Sequence, residues 1–282
     1  MFNSTPFELV AILDKCPVAV ARRLHARALE LRIPCSSVLG LDHRFLRTGL
    51  QLLDDAMQGG LPLATITEIV GSPGTGKTQL LFQIAGNVVA EKNGAVLWID
   101  TEGSFHAHRL LEIVLQKHDD PSLEARLLDC VRLCQVDSLS SLASLVHRMT
   151  PLWLTGVKCI VIDSIACLSR SEDSSRIQAA STIQAVIRNL KKLANQLGIW
   201  VIVSNQMTTA RASAADTHTR DPADAVFVTT PALGNTWHHN VNTRIRLEME
   251  GELDSDKIER RLCLEKSPQT QSLCFAFTID EK

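Results

Sequence analysis

From about residue 49 onward, short runs of consecutive apolar residues alternate with stretches in which apolar positions recur at helical spacing. The runs lie at residues 65–70, 95–100, 131–136, 159–163 and 199–204. Between the last two, Ile177, Ala180, Ile183, Ile187, Leu190, Ala194 and Leu197 repeat with a helical period that stops at Gly198. Continuous apolar strands separated by helices predict an α/β fold, a mostly parallel sheet covered on both faces. After residue 240 the helical period disappears, and residues 243–248, 260–266 and 273–279 predict consecutive strands, an antiparallel extension. Residues 207–233, rich in Ala, Thr and Asp, read as one long loop.

The N-terminal part follows another rhythm. Phe7, Leu9, Val10 and Leu13 share one helical face behind Pro6, and Val18, Ala21, Leu24, Ala28 and Leu31 share another after a break at 14–17. Two short helices bury little, so residues 1–32 are expected to form a small helical segment. Residues 33–48, with Pro34, Ser36, Ser37 and Gly40, read as a linker, and 49–282 as the core domain.

Composition narrows the reading. The chain has 282 residues, 45% of them hydrophobic, and a net charge of −2, so any nucleic-acid contact must come from a local patch. The eight cysteines form no CxxC pair and several sit inside apolar runs, which predicts buried reduced thiols in an intracellular protein. No run approaches the roughly 18 apolar residues of a membrane span, so no membrane association is expected.

Gly71-Ser72-Pro73-Gly74-Thr75-Gly76-Lys77-Thr78 matches G-x-x-x-x-G-K-T, follows the strand at 65–70, and opens a helix through Leu80, Leu81, Ile84 and Ala85. Strand, glycine loop and helix in that order are the context of a phosphate-binding loop. The glycines let backbone N–H groups turn toward phosphate, and the helix N-terminus adds positive potential. Lys77 is expected at the β- and γ-phosphates and Thr78 on Mg²⁺, with Gln79 continuing the site. Asp163 ends the apolar run 159–163, at the ligand edge of a parallel sheet, and is expected to support Mg²⁺; a carboxylate ending a strand by chance is the alternative. Glu102, two residues past the strand at 95–100, is the candidate to orient or deprotonate the attacking water, or else an acid favoured at a helix start. Gln206, two residues past the strand at 199–204, reads as a γ-phosphate sensor or as a solvated loop amide.

The order of P-loop, Ile99-Asp100-Thr101-Glu102-Gly103, Val161-Ile162-Asp163-Ser164 and Ser204-Asn205-Gln206 resembles the RecA family of strand-exchange ATPases. The lead-in Thr48-Gly49-Leu50 with Leu53-Asp54 and Gly59-Gly60-Leu61-Pro62 is similar too, as is Ser104-Phe105 followed by Arg109-Leu110. Ala232-Leu233-Gly234-Asn235-Thr236-Trp237, Val241-Asn242-Thr243-Arg244 and Lys266-Ser267-Pro268 resemble the eukaryotic recombinase paralogs, most of all the B-type. The helix pair beginning at Pro6-Phe7-Glu8-Leu9 looks like a shortened remnant of that family's N-terminal helix-hairpin-helix domain. The resemblance implies a RecA-like core, ATP and Mg²⁺ as cofactors, homologous-recombination repair in the nucleus, and assembly with other paralogs around a recombinase filament on single-stranded DNA. By position it implies catalytic roles for Lys77, Glu102 and Gln206, metal support by Thr78 and Asp163, Arg109 over the adenine, and His239 linking nucleotide to the second DNA loop.

Departures from the strand-exchange pattern matter as much. The region of the first DNA loop, 167–176, carries Arg170 and Arg176 but also Glu172 and Asp173; the chain has no tyrosine. The second, about 207–235, sets Arg211 and Arg220 against Asp216, Asp221 and Asp224. Opposing acids weaken phosphate attraction, which favours an accessory paralog with Arg170, Arg176 and Arg211 as DNA contacts. From 138 to 215 eight Lys or Arg face three Asp or Glu, a modest basic bias. Lys266, beside Ser267-Pro268 after a strand, is expected to reach a neighbouring subunit's nucleotide as a cation in trans. Two functions remain open on the sequence: a DNA-dependent ATPase of low turnover that assists recombinase filaments, or a scaffold that binds ATP mainly to hold partner paralogs.

Overall fold

The structure, a computed structural model, describes residues 44–92, 94–117, 120, 122–170, 176–211, 227–252 and 258–279. The chain divides into residues 1–44 and 45–282, and every described helix and strand belongs to the second unit. The expected helix pair at 4–32 and most of the linker lie outside the described residues.

Phe45–Leu46 (β1) pairs antiparallel with Leu61–Pro62 (β2), so the core starts inside the segment expected to be linker. Between them Gln51–Ala56 forms α1. Its Asp54 is buried and accepts from Thr48 N at 2.8 Å, Thr48 Oγ1 at 2.8 Å and Gly49 N at 3.0 Å, which fixes the lead-in segment against the core.

The main sheet follows. Ile66–Gly71 (β3), Ala95–Asp100 (β4), Val131–Gln135 (β5), Val157–Asp163 (β6) and Trp200–Arg211 (β7) are parallel, in the order β3-β7-β6-β4-β5. Helices Lys77–Lys92 (α2), Ala107–Leu115 (α3), Leu123–Cys130 (α4), Leu139–Arg148 (α5), Ile165–Arg170 (α6) and Arg176–Leu197 (α7) connect them. Phe227–Pro231 (β8) returns antiparallel to the end of β7 and leads to Gly234–Asn240 (α8). Thr243–Glu252 (β9) joins β3 in parallel, and Ile258–Lys266 (β10) and Leu273–Phe277 (β11) continue antiparallel beyond it, the predicted extension.

Period-two alternation explains how one sheet feeds two cores. Val96, Trp98, Cys159, Val161 and Ile202 face α2 and α3, whereas Leu97, Ile99, Ile160, Ile162 and Val203 face α5 and α7. Trp98 anchors the first core, its ring 4.9 Å from Phe82 and 5.2 Å from Phe105. On the α5 side, Ser138 caps the helix by accepting from Ser141 N at 3.2 Å. No helix among the described residues is long and apolar enough to cross a membrane.

Three expectations change. The stretch 207–233 is not one loop, because residues 207–211 and 227–231 pair as a ribbon. The run at 131–136, which reads as a buried strand, is instead a half-exposed edge carrying Arg132 and Leu133. The reduced state expected for all eight cysteines is corrected at one pair: Cys263 and Cys274 stand opposite in the β10–β11 register, with Cα atoms 4.1 Å apart, and form a disulfide. Cross-strand neighbours lie within bridging distance, a proximity that the strand register creates.

Candidate nucleotide site

The parallel strands end along one edge, and the expected residues come from their C-terminal ends. Gly71 closes β3 in close quarters: a Cβ there would meet Leu247 O at 2.6 Å and Thr75 Oγ1 at 2.7 Å. The loop then turns through Ser72, Pro73 and Gly74, with Gly74 and Gly76 at φ of +79° and +101°, which favour glycine. Thr75 is buried and closes the turn, its Oγ1 donating to Ser72 O at 2.9 Å. α2 starts at Lys77, so Thr78 and Gln79 sit in its first turn. Lys77 Nζ donates to Gly71 O and Ser72 O, both at 2.9 Å. Burial pushes its pKa down, and the charges of Asp163 and Glu102 oppose that shift.

Asp163 ends β6, nearly buried, with three hydroxyls around it: Ser204 Oγ on Oδ1, and Thr78 Oγ1 at 2.8 Å and Ser104 Oγ at 3.3 Å on Oδ2. Burial raises its pKa above the usual carboxylate range against the pull of Ser204 and Thr78. Among the described residues its oxygens thus meet only neutral donors, while Lys77 meets only carbonyls. A triphosphate with a divalent cation complements both, so the residues fit magnesium ATP.

Asp100 ends β4 and Glu102 lies two residues beyond it, and the two have different tasks. Asp100 is buried and accepts the N–H groups of Glu102, Gly103 and Ser104 on Oδ1 at 3.2, 2.9 and 3.1 Å, and of Phe105 on Oδ2 at 3.1 Å. That turn leaves Glu102 exposed, where Oε1 accepts from Ser164 Oγ and from Gln206 Nε2 at 2.7 Å. Gln206 is a strand residue rather than a loop amide: β7 runs past it, and it stands opposite Gly71 in the β3–β7 register. Thr101 and Ser164 lock the two strand ends together, Thr101 Oγ1 donating to Ser164 O at 2.7 Å and accepting from Ser164 N at 2.8 Å.

A cavity of about 340 Å³ opens over the loop, lined by Gly74, Gly76, Lys77, Thr78, Gln79, Arg109, Arg260 and Ile279. Arg109 on α3 is held by Gln79 Oε1 at 2.9 Å and Glu112 Oε2 at 2.9 Å. Arg260 and Ile279 were not expected. Both belong to the C-terminal extension, and Ile279 packs on Gly76, where a Cβ would meet its Cδ1 at 2.4 Å.

The remaining candidates are more scattered. His239 lies exposed on α8, its ring edge-on to that of His238 at 5.7 Å. Lys266 is engaged within its own chain, donating to His238 O at 2.8 Å and Val241 O at 2.7 Å, so reaching a neighbour requires it to release both. Arg170 and Arg176 end α6 and begin α7 on either side of residues outside the described set, and Arg211 ends β7.

Residues 43–282 match the Rad51 family. The chain belongs to that family. Among relatives, it is 34% identical over 267 residues to DNA repair protein RAD51 homolog 2 of Mus musculus, covering 85% of this chain and 74% of that one. It is 30% identical over 233 residues to RAD51 homolog 4 of the same species, covering 79% and 67%. It is 28% identical over 264 residues to the DNA repair and recombination protein RadA of Ignicoccus hospitalis, covering 87% and 76%. In structure it is similar to the RadB recombinase, with a TM-score of 0.64 at 21% identity, over 84% of this chain and 97% of that one, which shows the shared fold. This Rad51-family chain is thus a recombinase paralog on a RecA-like core, as the motifs implied.

Proposed function

We propose that this chain is a magnesium-dependent ATPase of homologous-recombination repair that works in the nucleus, with other recombinase paralogs, to assist or stabilise a recombinase filament on single-stranded DNA. The observation that carries the reading is the meeting of Glu102 and Gln206, from strand ends far apart in sequence, beside Lys77, Thr78 and Asp163. Family and relatives are those of DNA repair and recombination.

In this reading Lys77 exchanges its two carbonyl partners for β- and γ-phosphate oxygens, and the N–H groups of 74–78 point at the same phosphates. Thr78 and Asp163 would hold Mg²⁺, which when bound neutralises charge on the phosphate oxygens. Glu102 orients the attacking water and takes its proton at a carboxylate oxygen. Gln206, already bonded to Glu102, senses the γ-phosphate and carries its presence into the β7–β8 ribbon toward α8 and His239. Arg109 covers the base, while Arg170, Arg176 and Arg211 make sequence-independent, salt-sensitive contacts to DNA phosphates.

A second reading, a scaffold in which ATP clamps partner paralogs with little turnover, draws support from the excess of acids over bases in the 207–235 stretch. ATP turnover by the wild type and Glu102→Gln, with and without single-stranded DNA, separates the two. The ATPase reading expects DNA stimulation in the wild type and a rate about 10²–10⁴ lower in the variant, the usual contribution of a positioned base. A wild type indifferent to DNA and no faster than the variant supports the scaffold. Failure of the wild type to bind ATP and Mg²⁺ at all overturns both.

A further inference from the structure

Beneath the ligand edge, in the middle of β3 and three residues before Gly71, Glu68 is fully buried. Its carboxylate accepts three N–H bonds, each from a different element. Asn205 Nδ2 on β7 donates to Oε1 at 2.6 Å and Trp237 Nε1 on α8 donates to the same oxygen at 2.8 Å. Arg244 Nε on β9 donates to Oε2 at 2.6 Å, and Arg244 stands opposite Glu68 in the β3–β9 register.

What these donors adjoin is informative. Asn205 immediately precedes Gln206, whose amide reaches Glu102 and whose carbonyl accepts from Ala232 N at 2.9 Å where β8 turns toward α8. Trp237 lies two residues before His239, and Arg244 Nη1 meets His238 Nδ1. One carboxylate therefore ties the strand entering the P-loop to the Gln206 strand and to the helix carrying His239. Among the described residues, Asn205 Oδ1 and Arg244 Nη2 have no protein hydrogen-bond partner.

We propose that Glu68 and Asn205 are positioning residues for γ-phosphate sensing: the Glu68–Asn205 bond fixes the backbone at 205 and with it the angle at which Gln206 leaves β7 toward Glu102 and the P-loop. Glu68 touches no nucleotide in this scheme. It acts through Asn205, and Trp237 gives α8 the same reference point, so Gln206 and α8 keep a common frame. The inference rests on the proposed ATP site and goes beyond it by naming what holds the sensor.

The test is a binding measurement, independent of turnover, on the full chain. Affinities for magnesium ATP and magnesium ADP are measured for wild type, Asn205→Ala, Gln206→Ala and the double variant, with thermal unfolding to check the fold. A preference of the wild type for ATP is expected, and Asn205→Ala should reduce it about fivefold to tenfold, the worth of one net hydrogen bond, leaving ADP affinity unchanged. The double variant should lose no more than Gln206→Ala alone, because both changes remove one function. Asn205→Ser, with a donor of shorter reach, should show a smaller loss of the same sign and serves where alanine disturbs the fold. An intact preference in a folded Asn205 variant, additive losses, equal loss of ATP and ADP, or a wild type without preference each overturns the positioning role while leaving the nucleotide site standing. A wild type that binds neither nucleotide overturns the site itself.

Discussion

Asp163 and Glu68 are both carboxylates buried on central strands of one sheet, yet their surroundings differ in kind. Glu68 is surrounded by N–H donors, among them the guanidinium of Arg244 at 2.6 Å, and is completed by its own chain. Among the described residues, Asp163 receives hydrogen bonds only from hydroxyls, which stabilise the anion less than a bonded cation does, and burial lifts its pKa. The first is an internal joint; the second is held by hydroxyls and interacts with Lys77 through charge alone. Burial alone does not identify a functional acid. What separates the two is whether a cation of the protein bonds the carboxylate directly, as Arg244 does for Glu68.

Removing each carboxylate should break the molecule in opposite ways. Glu68→Ala strands Arg244, whose side chain is only 5% exposed, and should cost about 3–5 kcal/mol of stability, as loss of one partner of a buried pair does. Asp163→Asn removes a desolvated charge that Lys77 opposes without bonding it, so the nucleotide-free protein should lose less stability than with Glu68→Ala, while magnesium-dependent binding is lost. Urea unfolding of both variants without nucleotide checks this. Equal destabilisation would mean that Asp163 is a structural acid like Glu68.

Lys77→Ala should produce the next effect and confine it to binding. Its ammonium makes two bonds to loop carbonyls, which water can replace at this partly exposed position, so the fold should survive. ATP affinity should fall by about 1.5–3 kcal/mol, the worth of a hydrogen bond to a charged group, roughly 10- to 150-fold. Titration with a fluorescent ATP analogue measures it, and unchanged affinity would remove the loop from the nucleotide site.

The two regions were not equally legible in the sequence. The P-loop, Glu102 and Asp163 were readable because each follows an apolar strand directly, so local order fixes the edge on which it lies. Gln206 was found, but as a loop residue, because β7 is prolonged by pairing with β8, a partner some twenty residues on. The Glu68 cluster was missed altogether. Its partner Arg244 is 176 residues away, and nothing near Glu68 announces a charge pair. Arg260, Ile279 and the Cys263–Cys274 bridge depend likewise on the register of the C-terminal extension. Short-range chemistry is written in motifs; countercharges and cross-strand neighbours exist only once the sheet has formed.

The smallest expected effect tests how far the Glu68 joint extends. His238 Nδ1 faces Arg244 Nη1, so the neutral imidazole accepts while the protonated ring would meet a second cation. Burial first, then Arg244, Lys266 and His239, push the His238 pKa below its ordinary value of 6.5, and only Glu68 pulls it back. The unfolded chain therefore takes up the proton at a higher pH than the folded one. The stability from this group is complete above the unfolded pKa and is lost as pH falls through that value toward the lower folded one. Wild type should accordingly be less stable at about pH 5.5 than at about pH 7.5, with His238→Gln reducing that difference. Gln can still accept from Arg244 but does not titrate, so stability near neutral pH should be little changed. Denaturant curves at the two pH values decide the matter. Equal pH dependence in the two proteins would mean that Arg244 is held by Glu68 alone and that the joint stops short of α8's last turn.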